Sequence, residues 1–573
     1  RSAAKDFVAR CIQVTVRIAC IMGRVVIIAR NSMTPRIPYN LSETVFDCII
    51  VGAGINGAGI ARDAAMRGLR VLMLDQNDLG SGTSSASTRL IHGGLRYLEH
   101  GEIGLVRESL RERETLLNIA PHLVKPLQIL IPMYQSARRG RWTVRAGMFV
   151  YDLLSFDNSQ GNHRMVSKAE VLQLAPALNP VGLLGGAIYF DAQVEFAERL
   201  VLENALSARV NGAVVINHAR LDGLGTEARH VSSVTFTDLL TGEVHSAFGK
   251  FLINATGPWV DDLLQQVGAV SQRLIGGTKG SHIIVSSFPG APATSLYVEA
   301  ETDQRPFFII PWNGKYLIGT TDIRYEGDLG HMQIGQEEID YLLSETNRVI
   351  PTAGLAREHI LYSYAGVRPL PFADDKDEQS ITRRHFIKET PHLVNMFSIV
   401  GGKLTTYRQL AEEVVDLVFK KLDRSSPKCS TAEVPLPGAA VPDLQAFRTD
   451  FEQHSDLSPE ISSRLLRIYG SRSLEILKLI GEEASLADAC DVENGAIAAE
   501  VIFAFTDEMA QTLSDCLLRR TMVGLNSLCG LNAVEAAAGI ARRHLGWSDE
   551  RTAAEISSYR DYVSRFQVPG RGL

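Results

Sequence analysis

The chain has 573 residues, a formal net charge of -7, and 45% hydrophobic against 21% charged residues. This length is too great for one hydrophobic core and predicts two or three domains, and the nearly balanced charge excludes a global basic field for nucleic-acid binding. The seven cysteines form no CxxC pair and no metal-ligand spacing, which argues against an iron–sulfur centre, a redox disulfide or another metal site and indicates a reducing compartment.

The first 32 residues form a basic segment with six Lys or Arg residues and one acidic residue, Asp6. Interleaved with Val, Ile and Ala, this composition is typical of an organellar transit segment. The alternative is a stretch upstream of the true start, near Met33, and we favour it because the rest of the chain needs nothing from this segment. Arg17 and Arg24 interrupt each apolar run before the roughly 18 residues of a membrane span. Residues 1–43 are therefore predicted to be an N-terminal extension.

A nucleotide-binding motif follows in DCIIVGAGINGAGIARDAAMRGLRVLMLD, residues 47–75. The apolar run predicts a buried strand that enters a glycine turn. Gly52 permits the tight turn, Gly54 lets the backbone approach a pyrophosphate, and Gly57 lets the following helix pack against the strand. Asp75 ends a second strand, where its carboxylate can accept hydrogen bonds from an adenosine ribose. Strand, helix and acid agree, so the motif predicts dinucleotide binding.

Beyond this motif the chain does not continue as a nicotinamide enzyme usually would, with another regular strand and helix. It enters TSSASTRLIHGGLRYLEHGE, which is rich in small, hydroxyl and glycine residues. Periodicity then predicts a helix over 105–120 and an antiparallel sheet within 281–322. Strands are also predicted over 187–191, 213–218, 231–237 and 249–254. The last of these strands ends in ATGPW and is expected to return to the cofactor beside the first strand.

The composition changes near residue 423. DRSSPKCSTAEVPLPGAAVPD, residues 423–443, is a Pro- and Ser-rich linker, and the chain beyond it consists of helix-period segments such as AEVIFAFTDEMAQTLSDCLLRR. We therefore predict a cofactor-binding domain with interleaved substrate-binding segments over 44–430. A C-terminal helical domain is predicted over 441–573.

Several segments carry a family resemblance in the order in which they occur. They are SSAS, LIHGGLRYLE, NATGPWVDD, GTKGSHIIV, IPWNGKYLIGTTD, YAGVRPL and VGGKLTTYR. Over roughly residues 44–570 the chain resembles the FAD-dependent, quinone-linked glycerol-3-phosphate dehydrogenases. It departs from them at Asp75, where Glu is usual, and at Arg89, where Lys is common. Both changes keep the charge, although the shorter Asp75 side chain would reach the ribose differently.

The resemblance implies an α/β fold with FAD as the cofactor. An FAD-binding two-dinucleotide-fold domain, of the glutathione-reductase-like Rossmann type, would carry an inserted antiparallel β substrate domain and a C-terminal helical domain. Gly401 and Gly402 would open a helix whose N-terminal dipole faces the pyrimidine edge of the flavin. The cofactor-binding residues implied are Gly52, Gly54, Gly57, Asp75, Thr83, Ser84, Ser85, Gly93, Gly94, Ala255, Thr256, Gly257, Gly401, Gly402, Leu404 and Thr405.

The resemblance also implies a cationic site for a phosphomonoester, formed by Arg368, Arg383 and Lys403. Such a dianion needs several charge-assisted hydrogen bonds to replace its water. An isolated Arg more often pairs with a surface carboxylate, but the glycines beside Arg368 and Lys403 favour a site. Arg384 adjoins Arg383 and is expected to point away, so that only Arg383 faces the pocket.

Three further residues are assigned catalytic roles beside the substrate. Arg96 and Tyr97 are placed there by the resemblance alone, the alternative being a surface charge and a core aromatic. His282 opens a strand over the pocket, where a neutral imidazole could take the hydroxyl proton. A structural role for His282 remains equally open. His92 is interpreted as a structural histidine.

The function implied is oxidation of sn-glycerol 3-phosphate to dihydroxyacetone phosphate with hydride transfer to FAD. Because the sequence shows no nicotinamide site, haem motif or cluster ligands, a membrane quinone is the expected electron acceptor. A glycerol-3-phosphate oxidase that uses oxygen is the alternative. A non-catalytic flavin-binding regulatory protein is a more remote alternative, because such a protein would be expected to lack Arg368 or Lys403 and both are present.

A basic, aromatic segment within residues 133–154 supports the quinone hypothesis. Basic side chains, an interfacial Trp and an apolar run are typical of a monotopic segment in the headgroup plane of an anionic membrane. The alternative is a basic helix that covers its own protein. The residues concerned are Arg138, Arg139, Arg141, Trp142, Arg145, Met148, Phe149 and Val150.

The expected location follows from this segment. It is the cytoplasmic face of the inner (plasma) membrane, or the mitochondrial inner membrane if residues 1–32 are a true presequence. Glycerol 3-phosphate, a quinone and the membrane surface are the expected partners, without nucleic acid. The choice between monomer and homodimer remains open.

Overall fold

A computed structural model of the chain describes residues 35–156, 159–269, 272–373 and 381–569. The hypotheses on the basic segment at residues 1–32 lie outside the described residues. The five cysteines in the described ranges are free thiols. Within those ranges, none of the helices has the length and hydropathy needed to span a bilayer.

In the described ranges, twenty strands form two large sheets and one small hairpin. In chain order they are β1 (Val45–Val51), β2 (Val71–Leu74), β3 (Leu90–Ile91), β4 (Val124–Tyr134), β5 (Arg164–Ser167), β6 (Leu183–Val194), β7 (Val214–Ile216), β8 (Ala219–Glu227), β9 (His230–Asp238), β10 (Val244–Asn254), β11 (Thr278–Val285), β12 (Ser295–Glu299), β13 (Pro306–Trp312), β14 (Lys315–Gly319), β15 (Ile323–Arg324), β16 (Ile360–Arg368), β17 (Phe386–Thr390), β18 (Leu393–Val400), β19 (Ala489–Asp491) and β20 (Ala496–Ile497).

The α-helices are α1 (Ile55–Met66), α2 (Ile103–Ile119), α3 (Arg141–Leu154), α4 (Lys168–Leu174), α5 (Ala197–Val210), α6 (Val260–Gln266), α7 (Gln336–Val349), α8 (Tyr407–Lys421), α9 (Leu444–His454), α10 (Pro459–Tyr469), α11 (Ser473–Glu482), α12 (Ala498–Thr506), α13 (Leu513–Asp515), α14 (Val534–Leu545) and α15 (Asp549–Val563). Short 3-10 turns connect several of them. Helix α2 confirms the helix predicted over 105–120, with bounds shifted by one or two residues.

The first sheet is the dinucleotide-binding sheet. Its central strands β18, β10, β1, β2 and β7 are all parallel, and the hairpin β8–β9 extends β10 on one side. Residues 48–51 of β1 and all of β2 are buried and apolar, because both faces of the sheet are covered. Helices α1, α5 and α8 pack on one face, and the hairpin β8–β9 with α6 packs on the other. Val51 at the end of β1 lies beside Asn254 at the end of β10. The prediction that residues 249–254 return beside the first strand is therefore confirmed.

The second sheet has ten strands in the order β15-β11-β14-β13-β12-β4-β6-β3, with β16 on β11 and β5 on β6. Strands β11 to β14 fall within or overlap the predicted range 281–322. β13 pairs antiparallel with β12 and with β14, and β14 pairs antiparallel with β11. β12 and β4 pair in parallel. The predicted antiparallel substrate sheet is confirmed, and it recruits β4, β6 and β16 from elsewhere in the chain.

The C-terminal part is helical, with α9 to α15 packed around one apolar core and the hairpin β19–β20 at its side. The segment 499–520, predicted with helix periodicity throughout, is interrupted between Thr506 and Leu513. The reason is local capping. The Thr512 hydroxyl accepts the backbone N–H of Asp515, and the Asp515 carboxylate accepts that of Thr512, so a new helix starts there. It continues as a π-helical turn to Arg520.

Candidate active site

A cavity of about 950 Å³ lies at the carboxyl ends of β1, β2 and β10 and reaches β11 and β16 of the second sheet. This edge of a parallel sheet is where nucleotide ligands bind. Fourteen of the sixteen predicted cofactor-binding residues line the cavity. They are Gly52, Gly54, Asp75, Thr83, Ser84, Ser85, Gly94, Ala255, Thr256, Gly257, Gly401, Gly402, Leu404 and Thr405.

The glycine turn has the shape that a pyrophosphate requires. Gly52 has φ +101°, and a Cβ there would lie 2.6 Å from the Ala255 carbonyl oxygen. Gly57 does not line the cavity; a Cβ there would overlap the Gly52 carbonyl, so it serves the turn–helix packing that its spacing predicted. A Cβ on Gly54 would meet only Ser84 Oγ, at 3.3 Å. Helix α1 starts after Gly54 without a side-chain cap, which leaves its N-terminal dipole facing the cavity.

The carboxylate of Asp75 is tied to the glycine turn itself. Its Oδ2 accepts the Ala53 N–H at 2.6 Å and its Oδ1 accepts the Asn77 N–H at 2.8 Å. Burial raises the pKa of Asp75. Each carboxylate oxygen has a second acceptor position, so the side chain fits a ribose contact while it braces the turn.

Gly93 and Gly94 differ in role. The Gly93 N–H donates to Tyr151 Oη at 3.1 Å and to Asp191 Oδ1 at 3.2 Å, and Gly93 does not line the cavity. The implied cofactor contact of Gly93 is thus not supported, because its neighbours leave no room for a Cβ and occupy its donor. Gly94, with φ +78°, leaves space for the Tyr97 ring and does line the cavity.

Gly401 and Gly402 turn the chain away from β18 with φ values of +81° and +98°. The helix predicted to open directly after them starts only at Tyr407, since Leu404 to Thr406 form a separate turn. Thr405 Oγ1 in this turn accepts the His92 N–H at 3.1 Å. This bond involves only the backbone of His92, and burial lowers the pKa of its imidazole to about 4.

Three arginines converge on one buried carboxylate at the end of the cavity that borders the second sheet. Asp322 Oδ1 accepts Arg368 Nη1 at 3.0 Å, and Asp322 Oδ2 lies 2.5 Å from Arg305 Nη2 and 3.3 Å from Arg383 Nη2. We call Arg305, Arg368, Arg383 and Asp322 the arginine cluster. Burial alone would raise the pKa of Asp322, but the three guanidinium charges hold it below its usual value. Arg384 is exposed and does not line the cavity.

The sequence interpretation missed Arg305 and Asp322. Asp322 closes the quoted motif IPWNGKYLIGTTD, where its charge was a usable signal, whereas Arg305 stands in a loop before β13 without a motif. Gly280 was also missed. A Cβ on Gly280 would overlap the Arg368 guanidinium and lie 2.6 Å from Thr320 Oγ1, so Gly280 provides the space that Arg368 occupies.

Arg96, Tyr97 and Lys403 lie beside the arginine cluster and line the same cavity. The Lys403 ammonium stands 3.8 Å from the centre of the Tyr97 ring and 3.3 Å from Ser109 Oγ. Burial lowers the pKa of Lys403 to about 7. Burial also lowers the pKa of Arg96, and the charges of Arg305 and its neighbours add to this effect. The structure therefore brings all the predicted substrate residues to one place.

His282 is buried at the cavity wall with one nitrogen engaged. Its Nε2 lies 2.9 Å from Thr88 Oγ1, and its ring stacks on Tyr364 with centroids 4.9 Å apart. Its Nδ1 has no hydrogen-bond partner among the residues described. Burial, with the charges of Arg368 and Arg89, holds the pKa of His282 well below its usual value. The imidazole is thus neutral.

Arg89, the second departure from the resembled family, has a structural partner. Its guanidinium forms two hydrogen bonds of 2.7 Å to the carboxylate of Glu198, and both side chains are buried. The guanidinium also lies 4.7 Å from the centre of the Trp312 ring. A forked pair of this kind uses the geometry that Arg has and Lys lacks.

Comparison with known proteins gives consistent matches. A family model described as FAD dependent oxidoreductase matches residues 47–417, and one described as C-terminal domain of alpha-glycerophosphate oxidase matches residues 429–552. A glycerol-3-phosphate dehydrogenase of Synechocystis sp. is 47% identical over 543 residues, which cover 92% of this chain and 98% of that protein. An aerobic glycerol-3-phosphate dehydrogenase of Staphylococcus haemolyticus is 34% identical and covers 85% of this chain and 88% of its own length.

Two solved structures extend the comparison. The glycerol-3-phosphate dehydrogenase from Bacillus halodurans complexed with FAD superimposes with a TM-score of 0.76 at 27% identity, covering 93% of this chain and 97% of that one. An L-alpha-glycerophosphate oxidase from Mycoplasma pneumoniae superimposes with a TM-score of 0.53 at 19% identity, covering 69% and 99%. The second match is a likeness of fold alone.

Proposed function

Because the chain belongs to the FAD-dependent glycerol-3-phosphate dehydrogenase family, we propose that it oxidises sn-glycerol 3-phosphate to dihydroxyacetone phosphate and passes the electrons to a membrane quinone. FAD is its cofactor. The observation that carries the proposal is the arginine cluster at the end of a cavity whose glycine turn fits a dinucleotide.

The arginine cluster suits a phosphate dianion. Three guanidinium charges against one carboxylate leave the cluster positive, and Lys403 and Arg96 add to it. Asp322 fixes the three side chains before the substrate arrives, so little ordering remains to be done on binding. Guanidinium groups are strong donors of charge-assisted hydrogen bonds to phosphate oxygens. A neutral polyol would gain little from this arrangement.

Oxidation of a secondary alcohol removes a hydride from carbon and a proton from oxygen. When bound, FAD would supply the hydride acceptor, and the glycine turn and residues 401–405 would hold it. We assign the proton to the imidazole of His282, which borders the cavity and is held by Thr88 at Nε2 and by Tyr364 on its ring face. Thr88 and Tyr364 act here as positioning residues. The low pKa of His282 keeps the imidazole neutral before the reaction.

The pKa of Lys403 predicts a pH dependence. Lys403 binds a dianion only as the ammonium form, so its contribution is present below its pKa of about 7 and is lost as the pH rises through that value. The substrate phosphate loses its second proton near pH ~6. We therefore expect kcat/KM for glycerol 3-phosphate to be highest between these values and to fall on both sides.

The control for this pH profile is Lys403→Arg. An Arg stays charged across the whole range, so the variant should lose the decline on the alkaline side and keep the acid side. If kcat/KM of Lys403→Arg declined on the alkaline side with the same slope and midpoint as that of the parent, another group would be responsible for the decline.

The proposed electron acceptor rests on helix α3. Trp142, Phe149 and Leu153 expose 76%, 66% and 64% of their surface, and Phe156 just beyond the helix exposes 77%. Soluble surfaces carry few large apolar side chains in such proximity, and a contiguous patch marks an interaction site. With exposed Arg138 nearby, the patch fits the headgroup region of an anionic membrane.

Two members of the predicted membrane segment, Arg139 and Met148, face the protein instead, and a third, Val150, is partly turned toward it. Arg139 forms ion pairs with Glu99 and Glu299, so its charge is already neutralised. Met148 is fully buried against the protein and Val150 is half-buried. The membrane-facing cations are therefore taken to be Arg138, Arg141 and Arg145, all exposed.

Reversing these three charges tests the membrane face. In Arg138→Glu/Arg141→Glu/Arg145→Glu, attraction to anionic lipid of about 1 kcal/mol per residue is replaced by repulsion. We expect the variant to bind FAD and reduce a soluble dye at the parent rate, but to stay in the supernatant when anionic vesicles are pelleted. The matched control is Arg542→Glu/Arg543→Glu/Arg560→Glu, exposed positions of the C-terminal domain. Equal vesicle binding by both variants would contradict the assignment.

A peripheral position at the cytoplasmic face of the inner membrane is part of the same proposal. The second candidate is a glycerol-3-phosphate oxidase, favoured by the match of residues 429–552 to a domain described from such an oxidase. The purified protein decides between them. We expect turnover of glycerol 3-phosphate with a soluble quinone to exceed turnover with oxygen by about tenfold or more; faster turnover with oxygen would support the oxidase.

A further inference from the structure

The C-terminal helical domain forms one wall of the cofactor cavity. All sixteen predicted cofactor-binding residues lie between Gly52 and Thr405, yet residues beyond position 510 also line the cavity. Some of these residues lie on α13 and the π-helical turn that continues it, and others lie on one face of α15 and the turn after it. We call the following six the C-terminal wall: Ser514, Leu518, Ser558, Tyr562, Arg565 and Phe566.

A buried ion-pair network fixes this wall against the dinucleotide-binding sheet. Asp78 stands three residues beyond Asp75, on the loop that borders the adenosine end of the cavity. Its two oxygens accept Arg520 Nη2 and Nη1 at 2.7 and 2.8 Å, and Oδ2 also accepts Arg519 Nε at 2.5 Å. All three side chains are buried. A buried carboxylate with forked donors holds its partners in one geometry.

A second link joins the wall to the same end of the cavity. The His218 N–H donates to the Asn77 carbonyl at 3.0 Å, and His218 Nε2 lies 2.9 Å from Asp515 Oδ2. Asp78, His218 and Asp515 are close enough to suggest a metal site. Arg519 and its neighbour already neutralise both carboxylates, since Arg519 Nη2 also donates to Asp515 Oδ1 at 2.9 Å. The group is therefore an anchor between the two domains.

We propose that the C-terminal helical domain is the second half of the FAD site, that its wall covers the adenosine half of the cofactor, and that the anchor at Asp78 slows FAD dissociation. Asp75, Asn77 and His218 mark this end of the cavity as the adenosine end, and the wall is in the same cavity. On this proposal, release of FAD through the adenosine end requires the wall to separate from the sheet. The role of the domain is then to retain the cofactor, whatever the electron acceptor.

Two variants of the holoenzyme test this role. Tyr562→Ser removes a side chain of the wall and leaves the carboxylates of the anchor in place, the Tyr562 ring lying 5.9 Å from the Arg519 guanidinium. Asp78→Asn weakens the anchor without changing a residue of the wall. Release of FAD after dilution is followed by the increase in fluorescence of free FAD. We expect release to be faster by about tenfold or more in both variants. Arg560→Ser is the matched control, because Arg560 lies on the exposed side of α15 and pairs with Glu535; its release rate should stay within about twofold of the parent.

Amide hydrogen exchange of the parent protein needs no variant. It therefore tests the proposal even if Asp78→Asn does not fold. Removing FAD from the parent protein should speed exchange in 513–520 and in α15, while α9 and α10 keep their rates. The proposal is overturned if FAD release from Tyr562→Ser stays within about twofold of the parent, or if exchange in α15 does not respond to removal of FAD.

Discussion

Gly54→Val is expected to yield a folded protein that has lost its FAD and, with it, all turnover of glycerol 3-phosphate. A Cβ at this position meets only Ser84 Oγ, at 3.3 Å, and the backbone has an ordinary φ of -72°. The branched side chain therefore fills the space of the pyrophosphate without disturbing the turn. The measurement is the flavin absorbance of the purified variant relative to its protein absorbance.

The control for this prediction is Gly104→Val. A Cβ there meets nothing within 4 Å, and the residue lies on α2 away from the cavity. This variant should keep its flavin. Gly54→Val should also unfold at a lower temperature than the parent, because a ligand that binds only the folded state no longer stabilises it. A full complement of flavin in Gly54→Val would place the pyrophosphate elsewhere.

Arg368→Ala should lower kcat/KM for glycerol 3-phosphate by about 10- to 150-fold, the equivalent of roughly 1.5 to 3 kcal/mol of lost transition-state stabilisation. Arg368 donates to Asp322 and borders the cavity where the phosphate is proposed to bind. The substitution leaves Asp322 paired with Arg305 and Arg383. The loss should thus appear in substrate binding and turnover, with the fold retained.

Arg384→Ala provides the matched control, since Arg384 adjoins Arg383 in sequence but is exposed and outside the cavity. Its kcat/KM should remain within about twofold of the parent. Glycerol without the phosphate, as a poor alternative substrate, should be oxidised equally by parent and Arg368→Ala. An unchanged kcat/KM for glycerol 3-phosphate in Arg368→Ala would remove it from the phosphate site.

The features that the sequence predicted correctly depend on short-range patterns. The glycine turn and the strands β1 and β10 could be predicted because apolar runs and fixed glycine spacing are local properties of the sequence. The position of residues 249–254 beside β1 followed from the two-dinucleotide fold. The division of 499–520 was not predicted, because a capping pair between Thr512 and Asp515 competes with a periodicity that continues across it.

The features that it missed depend on strand register. Arg305 precedes β13, Asp322 follows β14 and Arg368 ends β16; they meet only because β11 pairs with both β14 and β16. A pattern of period two does not specify which strands become neighbours. The same holds for Gly93, whose N–H is occupied by Asp191 on β6.

The anaerobic reaction of the purified, FAD-loaded protein with glycerol 3-phosphate tests the central claim most directly. With oxygen and quinone absent, the visible absorbance of the oxidised flavin should bleach completely on mixing with glycerol 3-phosphate, should decrease only slowly with glycerol, and should persist with inorganic phosphate. The bleaching rate should fall in Arg368→Ala and not in Arg384→Ala. Flavin that stays oxidised in the presence of saturating glycerol 3-phosphate would contradict the account.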